Sequence, residues 1–258
     1  MNAFTGKTVL VTGAARGLGQ AIAASFARQG ASVALCDVLE PDARTAAGTL
    51  LAQGLTARAF ALDVTSATAW ADTVAGVADW ASTPDVLVNN AGILYRRPIA
   101  AYTEADWQRV LAVNLTGCFL GIQAVAPRMR DKGGAIVNIA SNAALSGHPD
   151  PAYTASKWGV RGLTRSAALE FATAGVRVNC VCPGLVTTDI LRDARHLEPM
   201  IGLTPLGRMG EPADIAALVV YLAGDAARMI TGEDITIDGG FTAGGAYWKT
   251  ASEAGLYG

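Results

Sequence analysis

The chain has few cysteines and few histidines, which argues against two kinds of protein. Its 258 residues include only four cysteines, Cys36, Cys118, Cys180 and Cys182. Three of them lie inside apolar runs, so we interpret them as small core residues in a reducing compartment and not as a disulfide framework. The two histidines, His148 and His196, lie far apart in the sequence. A metal site therefore has few candidate ligands, and we expect none.

Charged residues are also scarce, since they make up 16 % of the chain and the net charge is −2. This balance offers no basic surface for nucleic acid or for an anionic membrane. The longest apolar run near the C-terminus, residues 215–223, is too short to span a bilayer. Residues 1–7 lack the basic region and the apolar region of a signal peptide. We expect a cytoplasmic protein that binds neither nucleic acid nor membrane.

Apolar residues, in contrast, make up 51 % of the chain, enough for a large core. Short β-branched runs alternate with longer alanine-rich segments of helical periodicity. Such a pattern predicts a parallel sheet covered on both faces, that is, a single doubly wound α/β domain over residues 1–258. The predicted strands are Thr8–Val11, Ser32–Cys36, Thr56–Ala61, Val86–Asn89, Ala135–Ala140, Val176–Cys182 and Asp234–Ile237.

Two of the predicted helices bear on function. One is a long helical segment over Thr103–Arg130, and Thr103 is its expected N-cap. The other begins after Asp150, which can cap it, and Pro151 suits its first position.

Tyr153 and Lys157 are four residues apart in this second helix, so they project from the same face. An ammonium group beside a phenol stabilises the phenolate, which allows a tyrosine to act as a general acid or base. The spacing is common by chance, and an ordinary surface pair is the alternative.

A glycine-rich turn joins the first strand to the first helix. Gly13, Gly17 and Gly19 follow the spacing Gly-x-x-x-Gly-x-Gly, with Arg16 and Leu18 between them. Such a turn lets a pyrophosphate approach the backbone at a helix N-terminus. A strand-to-helix turn without a ligand is the alternative.

Asp37 ends the second strand, where a carboxylate can bond both hydroxyls of a cofactor ribose. The same charge repels a 2′-phosphate, so we expect NAD in preference to NADP. Arg16 works against this preference, because a cation near the ribose tolerates the phosphate.

In their order along the chain, these motifs resemble those of the short-chain dehydrogenase/reductase family, over Gly6–Gly240. The resemblance implies a Rossmann-type sheet of about seven strands. The motifs that carry it are Thr12–Gly19, Asp63-Val64, Asn89-Asn90-Ala91-Gly92, Asn114, Ser141, Tyr153 with Lys157, Pro183-Gly184 and Asp238-Gly239-Gly240.

The resemblance also implies how a nicotinamide cofactor would bind. Asp63 and Val64 would meet the adenine, and the backbone of Val186 and the hydroxyl of Thr188 would hold the carboxamide. The implied cofactor-binding residues are Gly13, Arg16, Gly17, Leu18, Gly19, Asp37, Asp63, Val64, Asn90, Ala91, Gly92, Tyr153, Lys157, Pro183, Gly184, Val186 and Thr188.

Four catalytic residues are implied in the same way: Asn114, Ser141, Tyr153 and Lys157. Tyr153 would move the proton, while Lys157 would stabilise its phenolate and bind the nicotinamide ribose. Asn114 would mark a helix distortion that holds a water beside Lys157, with a plain helix–helix contact as the alternative. Ser141 would donate a hydrogen bond to the substrate oxygen. The alternatives are that Ser141 only caps the end of its strand, or that the nearby hydroxyl of Ser146 takes this catalytic role.

These residues predict an oxidoreductase that transfers a hydride between NAD and a secondary alcohol or ketone. The alternative enzyme is an NADPH-dependent reductase of ketones or 3-oxoacyl thioesters, which a basic residue in place of Val38 would have favoured. The alternative of another class is a non-catalytic nucleotide-binding sensor or scaffold.

Three segments should rim the substrate pocket: residues 93–101, residues 143–151 and a lid at residues 185–210. We interpret Arg96 and Arg97 as a solvated surface pair, with an anionic substrate group as the alternative. His148 either touches substrate or shapes its loop. Apolar pocket residues are expected at Leu94, Tyr95, Leu145, Leu191 and Met200, and a polar outer face of the lid at Arg192, Arg195 and His196.

Small residues recur at helical spacing on the Tyr153 helix, at Ala155, Gly159, Gly162 and Ser166. They permit close packing on the chain's own sheet or on another subunit, and the resemblance implies a homo-oligomer, which we expect to be a tetramer. The tail at residues 241–258, which includes Tyr257, is longer than the last strand needs. Packing of this tail on a neighbouring subunit is a further hypothesis.

Overall fold

The computed structural model describes residues 3–188 and 197–256. Within them lies one sheet of seven parallel strands in the order β3-β2-β1-β4-β5-β6-β7. The predicted fold class is therefore confirmed. The strands are β1 (Thr8–Thr12), β2 (Ser32–Asp37), β3 (Ala57–Ala61), β4 (Val86–Asn89), β5 (Gly134–Ile139), β6 (Val176–Pro183) and β7 (Asp234–Ile237).

Helices cover both faces of this sheet. They are α1 (Gly17–Arg28), α2 (Glu40–Leu51), α3 (Ala67–Trp80), α4 (Glu104–Leu111), α5 (Gly117–Val125), α6 (Pro151–Phe171), α7 (Leu197–Ile201), α8 (Pro212–Ala223) and α9 (Gly245–Glu253). Helices α1, α2 and α8 contribute to the apolar core on one face, and α3, α5 and α6 contribute to the core on the other.

Alternate residues of each central strand supply these two cores. In β1, Val9 and Val11 belong to the core under α1 and α8, whereas Leu10 belongs to the core with Trp70 and Ile122. Side chains of a strand alternate between its faces, so a strand buried on both faces is mostly apolar along its whole length. This is why the strands appear in the sequence as near-continuous apolar runs.

The long helical segment predicted over Thr103–Arg130 is present, but it is not one regular helix. Thr103 does cap α4, and its hydroxyl accepts a hydrogen bond from the Asp106 amide at 3.0 Å. After α4, however, the chain makes a π-helical turn over Ala112–Thr116 before α5 begins. The reason lies in Asn114, whose buried amide group bonds to the backbone of a neighbouring loop and not to its own helix.

The stretch Glu104–Met129 is long and apolar enough to cross a membrane by length and composition alone. Half of its most apolar window is nevertheless buried inside the domain. Core helices of soluble proteins pass the same test, so this stretch is weak evidence for a membrane span.

The C-terminal segment contains a helix, α9, that the sequence did not predict. This helix begins at Gly245, where a Cβ would lie 2.0 Å from the Leu203 carbonyl oxygen, so the tail packs closely on its own chain. Its packing on a neighbouring subunit stays a prediction. Leu191, Arg192, Arg195, His196 and Tyr257 lie outside the described residues.

All four cysteines are buried and free, as predicted for core residues. Burial raises the pKa of the Cys118 thiol to about 12, so it stays protonated at neutral pH.

Candidate active site

A cleft of about 520 Å³ opens along the carboxyl ends of the strands. The strand order reverses between β1 and β4, and ligands of open α/β sheets bind where this reversal occurs. The cleft is lined by every predicted cofactor-binding residue and by three of the four predicted catalytic residues, Ser141, Tyr153 and Lys157. Asn114 lies behind it, beside an internal cavity of about 10 Å³.

The glycine turn is packed so closely at Gly13 and Gly19 that no side chain fits at these two positions. Gly13 has φ +62°, and a Cβ there would lie 2.9 Å from the Ala91 Cα. A Cβ on Gly19 would lie 2.1 Å from the Gly13 carbonyl oxygen. Asn90 closes the turn, since its Nδ2 donates to the carbonyls of Thr12 at 2.9 Å and Gly13 at 3.1 Å. The turn is thus fastened to the end of β4.

Asp37 is held at the end of β2 by two backbone amides. Its Oδ2 accepts from the Ala15 amide at 3.0 Å and its Oδ1 accepts from the Leu39 amide at 2.9 Å. Arg16 and Val38 line the same end of the cleft, and the Val38 side chain is exposed. A carboxylate, a cation and an apolar side chain therefore surround the place where an adenosine ribose would lie.

Asp63 is oriented by its own loop. The Thr65 hydroxyl donates to Asp63 Oδ1 at 2.7 Å, and the Thr65 amide donates to the same oxygen at 2.9 Å. These bonds lower the pKa of the Asp63 carboxyl, the hydroxyl contributing most. Arg109 of α4 also lines this part of the cleft, a residue that sequence reasoning missed because no motif contains it.

Tyr153 and Lys157 lie together on α6, as their spacing predicts. The Lys157 Nζ atom lies 5.6 Å from the centroid of the Tyr153 ring. It is buried and donates to the Ile139 carbonyl at the end of β5, at 2.7 Å. A Cβ on Gly92 would lie 3.6 Å from this Nζ, so the backbone after β4 approaches the ammonium closely. The pair is built into the cleft wall and is not an ordinary surface contact.

Asn114 fastens that wall from behind. Its Oδ1 accepts from the Ile93 amide at 2.8 Å, and its Nδ2 donates to the Ile93 carbonyl at 2.9 Å. The same Nδ2 donates to Ser156 Oγ of α6 at 3.1 Å. The helix distortion implied at this position is confirmed by the π turn, and Asn114 also makes the alternative contact between helices.

Ser141 lies just past β5 and lines the cleft. Its Oγ accepts from the Ala143 amide at 3.1 Å, so the cap role is also present. The rival hydroxyl of Ser146 donates to the Asn142 carbonyl at 3.3 Å. Asn142 itself lines the cleft next to Ser141, which the sequence did not predict.

The far end of the cleft is partly apolar. Ile93, Leu94, Leu185 and Met200 line it, whereas Leu145 packs against the core beneath. Tyr95 is part of the same rim but packs its ring on Tyr102, with centroids 6.4 Å apart.

The two arginines of this rim, Arg96 and Arg97, have different surroundings. Arg97 forms an ion pair with Asp106 and stacks over the Tyr95 ring at 5.1 Å, as expected for a surface residue. Arg96, in contrast, lines the cleft. His148 lines it as well, with its ring 5.5 Å from that of Tyr153, and its Nδ1 accepts from the Asp150 amide at 3.1 Å. His148 therefore both faces the cleft and shapes its loop.

These residues fit a nicotinamide dinucleotide. The cleft is continuous from Asp37 through the glycine turn to Tyr153 and Gly184, and the glycines of the turn let a diphosphate approach the backbone at the start of α1. Within residues 3–188 and 197–256, no group of three or more His, Cys, Asp or Glu side chains is placed to hold a metal ion.

Comparison with known proteins agrees with this geometry. A family model described as enoyl-(acyl carrier protein) reductase matches residues 13–242. The chain is 40 % identical over 245 residues to a trans-4-hydroxycyclohexanecarboxylate dehydrogenase of Sinomonas cyclohexanicum, covering 92 % of this chain and 93 % of the relative. It is 42 % identical over 244 residues to a 3-alpha-(or 20-beta)-hydroxysteroid dehydrogenase of Mycobacterium bovis, covering 94 % and 92 %.

A solved structure shows the same fold. A short-chain type dehydrogenase/reductase from Mycobacterium marinum matches with a TM-score of 0.90 at 33 % identity, covering 93 % of this chain and 97 % of that chain. Fold, ordered motifs and relatives that match over most of the chain therefore agree. The protein belongs to the short-chain dehydrogenase/reductase family.

Proposed function

We propose that this protein is a nicotinamide-dependent oxidoreductase that interconverts a secondary alcohol and its ketone. The observation that carries the proposal is that Ser141, Tyr153 and Lys157 line one cleft together with the glycine turn. A hydroxyl, a phenol and a buried ammonium group thus meet at the end where a nicotinamide would contact the substrate. A protein that only bound nucleotide would have no need of this trio.

Each of these residues has a defined task. In the oxidative direction, the phenolate form of Tyr153, which the Lys157 ammonium stabilises, takes the proton of the substrate hydroxyl and becomes a phenol. Ser141 Oγ donates a hydrogen bond to the oxygen that becomes the carbonyl. A bound nicotinamide supplies the hydride acceptor. Asn114 holds Ile93 and α6 together, which keeps the wall behind Lys157 in place.

We infer that NAD is preferred over NADP. Asp37 is fixed by two amides at the end of β2, so its carboxylate cannot easily turn away from a 2′-phosphate. Val38, which follows it, provides no cation. Among the described residues of the glycine turn and β2, Arg16 is the only cation that lines the cleft.

The substrate is proposed to be a secondary alcohol on a ring. The two relatives named above are dehydrogenases of a hydroxycyclohexanecarboxylate and of hydroxysteroids, and a third, 36 % identical, is a cyclopentanol dehydrogenase of a Comamonas species. The apolar lining from Ile93, Leu94, Leu185 and Met200 suits such a ring, because it excludes water around the reacting carbon.

A panel of cyclic, acyclic and polyol secondary alcohols, with NAD and with NADP, tests this proposal at the nicotinamide absorbance. Oxidation of a cyclic alcohol with NAD is the expected result. Turnover confined to a ketone or a 3-oxoacyl thioester with NADPH would favour the alternative reductase. Binding of NADH without turnover of any compound would favour the non-catalytic alternative and contradict the proposal.

We also propose that the chain forms a homotetramer. Trp158 and Leu169 of α6 are 48 % and 82 % exposed, and Phe119 of α5 is 44 % exposed. A Cβ on Gly162 would meet nothing within 4 Å, whereas one on Gly159 would lie 2.7 Å from Leu115 of the same chain. Gly159 therefore allows α6 to pack closely within its own domain, whereas the surface around Gly162 is open to a partner subunit. Light scattering should give four times the chain mass, and a monomer would contradict this proposal.

A further inference from the structure

Asp150 makes more contacts than a helix cap requires. Its side chain has no exposed surface. Its Oδ1 accepts from the Tyr153 amide at 3.0 Å, which caps α6 as the sequence predicts. A cap needs only this one bond, yet the carboxylate also reaches a segment about fifty residues earlier in the chain.

That segment is the rim of the substrate end of the cleft. Asp150 Oδ2 accepts from the amides of Tyr95 at 2.7 Å and Arg96 at 2.8 Å. The Tyr102 hydroxyl donates to Oδ1 at 2.7 Å. Four donors therefore converge on one buried carboxylate, and bonds to a charged acceptor are stronger than neutral ones.

The charge of this carboxylate is consistent with its partners. Burial acts to raise the pKa of Asp150, but the bond from Tyr102 and the bonds from the backbone amides outweigh it and leave the pKa below its ordinary value. Burial, with the bond to the Asp150 carboxylate next, raises the pKa of Tyr102. Both groups thus keep their roles at neutral pH, Tyr102 as donor and Asp150 as acceptor.

The rim segment needs such an anchor. Arg96 has φ +53°, the left-handed region that is strained for a residue with a side chain. This conformation persists only where the surroundings impose it, and the bonds from Tyr95 and Arg96 to Asp150 do so. The stretch they hold contains Ile93, Leu94 and Arg96, all of which line the cleft.

We propose that Asp150 is a positioning residue that fixes the substrate-binding rim of the cleft to the helix carrying Tyr153. It does not line the cleft, and it acts through its neighbours. Because one carboxylate caps α6 and holds residues 95 and 96, the rim and the phenol keep a constant separation. The kinetic part of this inference rests on the proposed function.

Asp150 should therefore influence alcohol binding and not cofactor binding. The hydrogen bonds of the Asp150 carboxylate go to α6 and to residues 95–102, not to the glycine turn or to Asp37. Loss of the anchor should therefore raise the KM for the alcohol and leave NADH affinity unchanged. A residue that merely supported the fold would weaken both.

Two variants and a control separate these roles. Asp150→Asn keeps the size and the cap, since asparagine caps a helix as well as aspartate does, but its amide NH2 would face the two amide donors of the rim. Asp150→Ser keeps a one-bond cap and is too short to reach the rim. Asp72→Asn makes the same chemical change on the exposed face of α3.

In both Asp150 variants, we expect kcat/KM for the alcohol to fall by about 10- to 100-fold, mostly through KM, with the NADH dissociation constant within about twofold of the original. Asp72→Asn should match the unmodified enzyme. An unchanged kcat/KM, or an equal loss of NADH affinity, would overturn the proposal. If the Asp150 variants do not fold, Tyr102→Phe serves instead, because it removes the hydrogen bond from the Tyr102 hydroxyl to Asp150 and spares the cap. This variant should raise the KM for the alcohol several-fold. An unchanged KM would overturn the proposal.

A measurement without substrate keeps this inference apart from the proposed function. Hydrogen exchange of the Tyr95 and Arg96 amides should be slow in the unmodified protein and at least about tenfold faster in Asp150→Asn, while the Tyr153 amide stays protected in both. Unprotected rim amides in the unmodified protein would overturn the inference. If exchange behaves as expected but no alcohol is oxidised, the proposed function fails and the anchor stands.

Discussion

Replacing Asn114 by alanine should destabilise the protein by about 2–4 kcal/mol, because it leaves buried polar groups without partners. Asn114 is 2 % exposed and bonds the amide and the carbonyl of Ile93. An unsatisfied buried donor or acceptor costs about 1–3 kcal/mol. Ile93 is only partly buried, so water relieves some of this cost, and alanine recovers about 0.5 kcal/mol through its helix propensity.

Chemical denaturation followed by circular dichroism measures this change directly. For a domain of this size, the expected loss corresponds to a fall in Tm of roughly 5–15 °C. Ser156→Ala removes one of the bonds to Asn114 and should cost about 1 kcal/mol. Gln123→Ala truncates an exposed amide on α5 and should change stability by less than about 0.5 kcal/mol. If Asn114→Ala is as stable as Gln123→Ala, the reasoning about the buried hydrogen bonds of Asn114 is refuted.

Two further substitutions test the ends of the cleft. Asp37→Ala should raise the ratio of kcat/KM for NADP to that for NAD by about tenfold or more, because it removes the charge that repels a 2′-phosphate. The control Asp42→Ala, on the exposed face of α2, should leave this ratio unchanged. An unchanged ratio in Asp37→Ala would contradict the argument. Lys157→Met should lower turnover by about 10²- to 10⁴-fold, because the phenolate loses its stabilising ammonium. It should also lower the free energy of unfolding by about 1–3 kcal/mol, because the Ile139 carbonyl loses its donor at 2.7 Å. Steady-state kinetics and denaturation would show this, and normal turnover would contradict the role of the ammonium.

The sheet could be predicted well from the sequence because burial on both faces leaves a plain signal. The central strands β1 and β4 are buried at every position and mostly apolar, and short polar or glycine-rich segments separate the strands from the helices. The helix cap at Asp150 and the shared face of Tyr153 and Lys157 could be predicted for a similar reason. Each depends on residues only three or four positions apart.

Features that depend on distant partners could not be predicted in the same way. The π turn exists because Asn114 bonds to Ile93, 21 residues earlier, and local periodicity contains no sign of this. The anchor at Asp150 combines a local cap with partners about fifty residues away. Helix α9 follows a glycine-rich segment that resembles a loop, and its start is fixed by contact with Leu203. In each case tertiary contact, not local preference, determines the structure.

The turnover of Tyr153→Phe, measured beside its NADH affinity, tests the central claim most directly. The substitution removes one hydroxyl from a ring that stays packed beside Lys157 and His148. Tyr221→Phe, on the exposed face of α8, is the matched control. We predict that Tyr153→Phe loses about 10²- to 10⁴-fold or more in kcat while it binds NADH normally, and that Tyr221→Phe retains both. Retained turnover in Tyr153→Phe would contradict its assignment as the group that moves the proton.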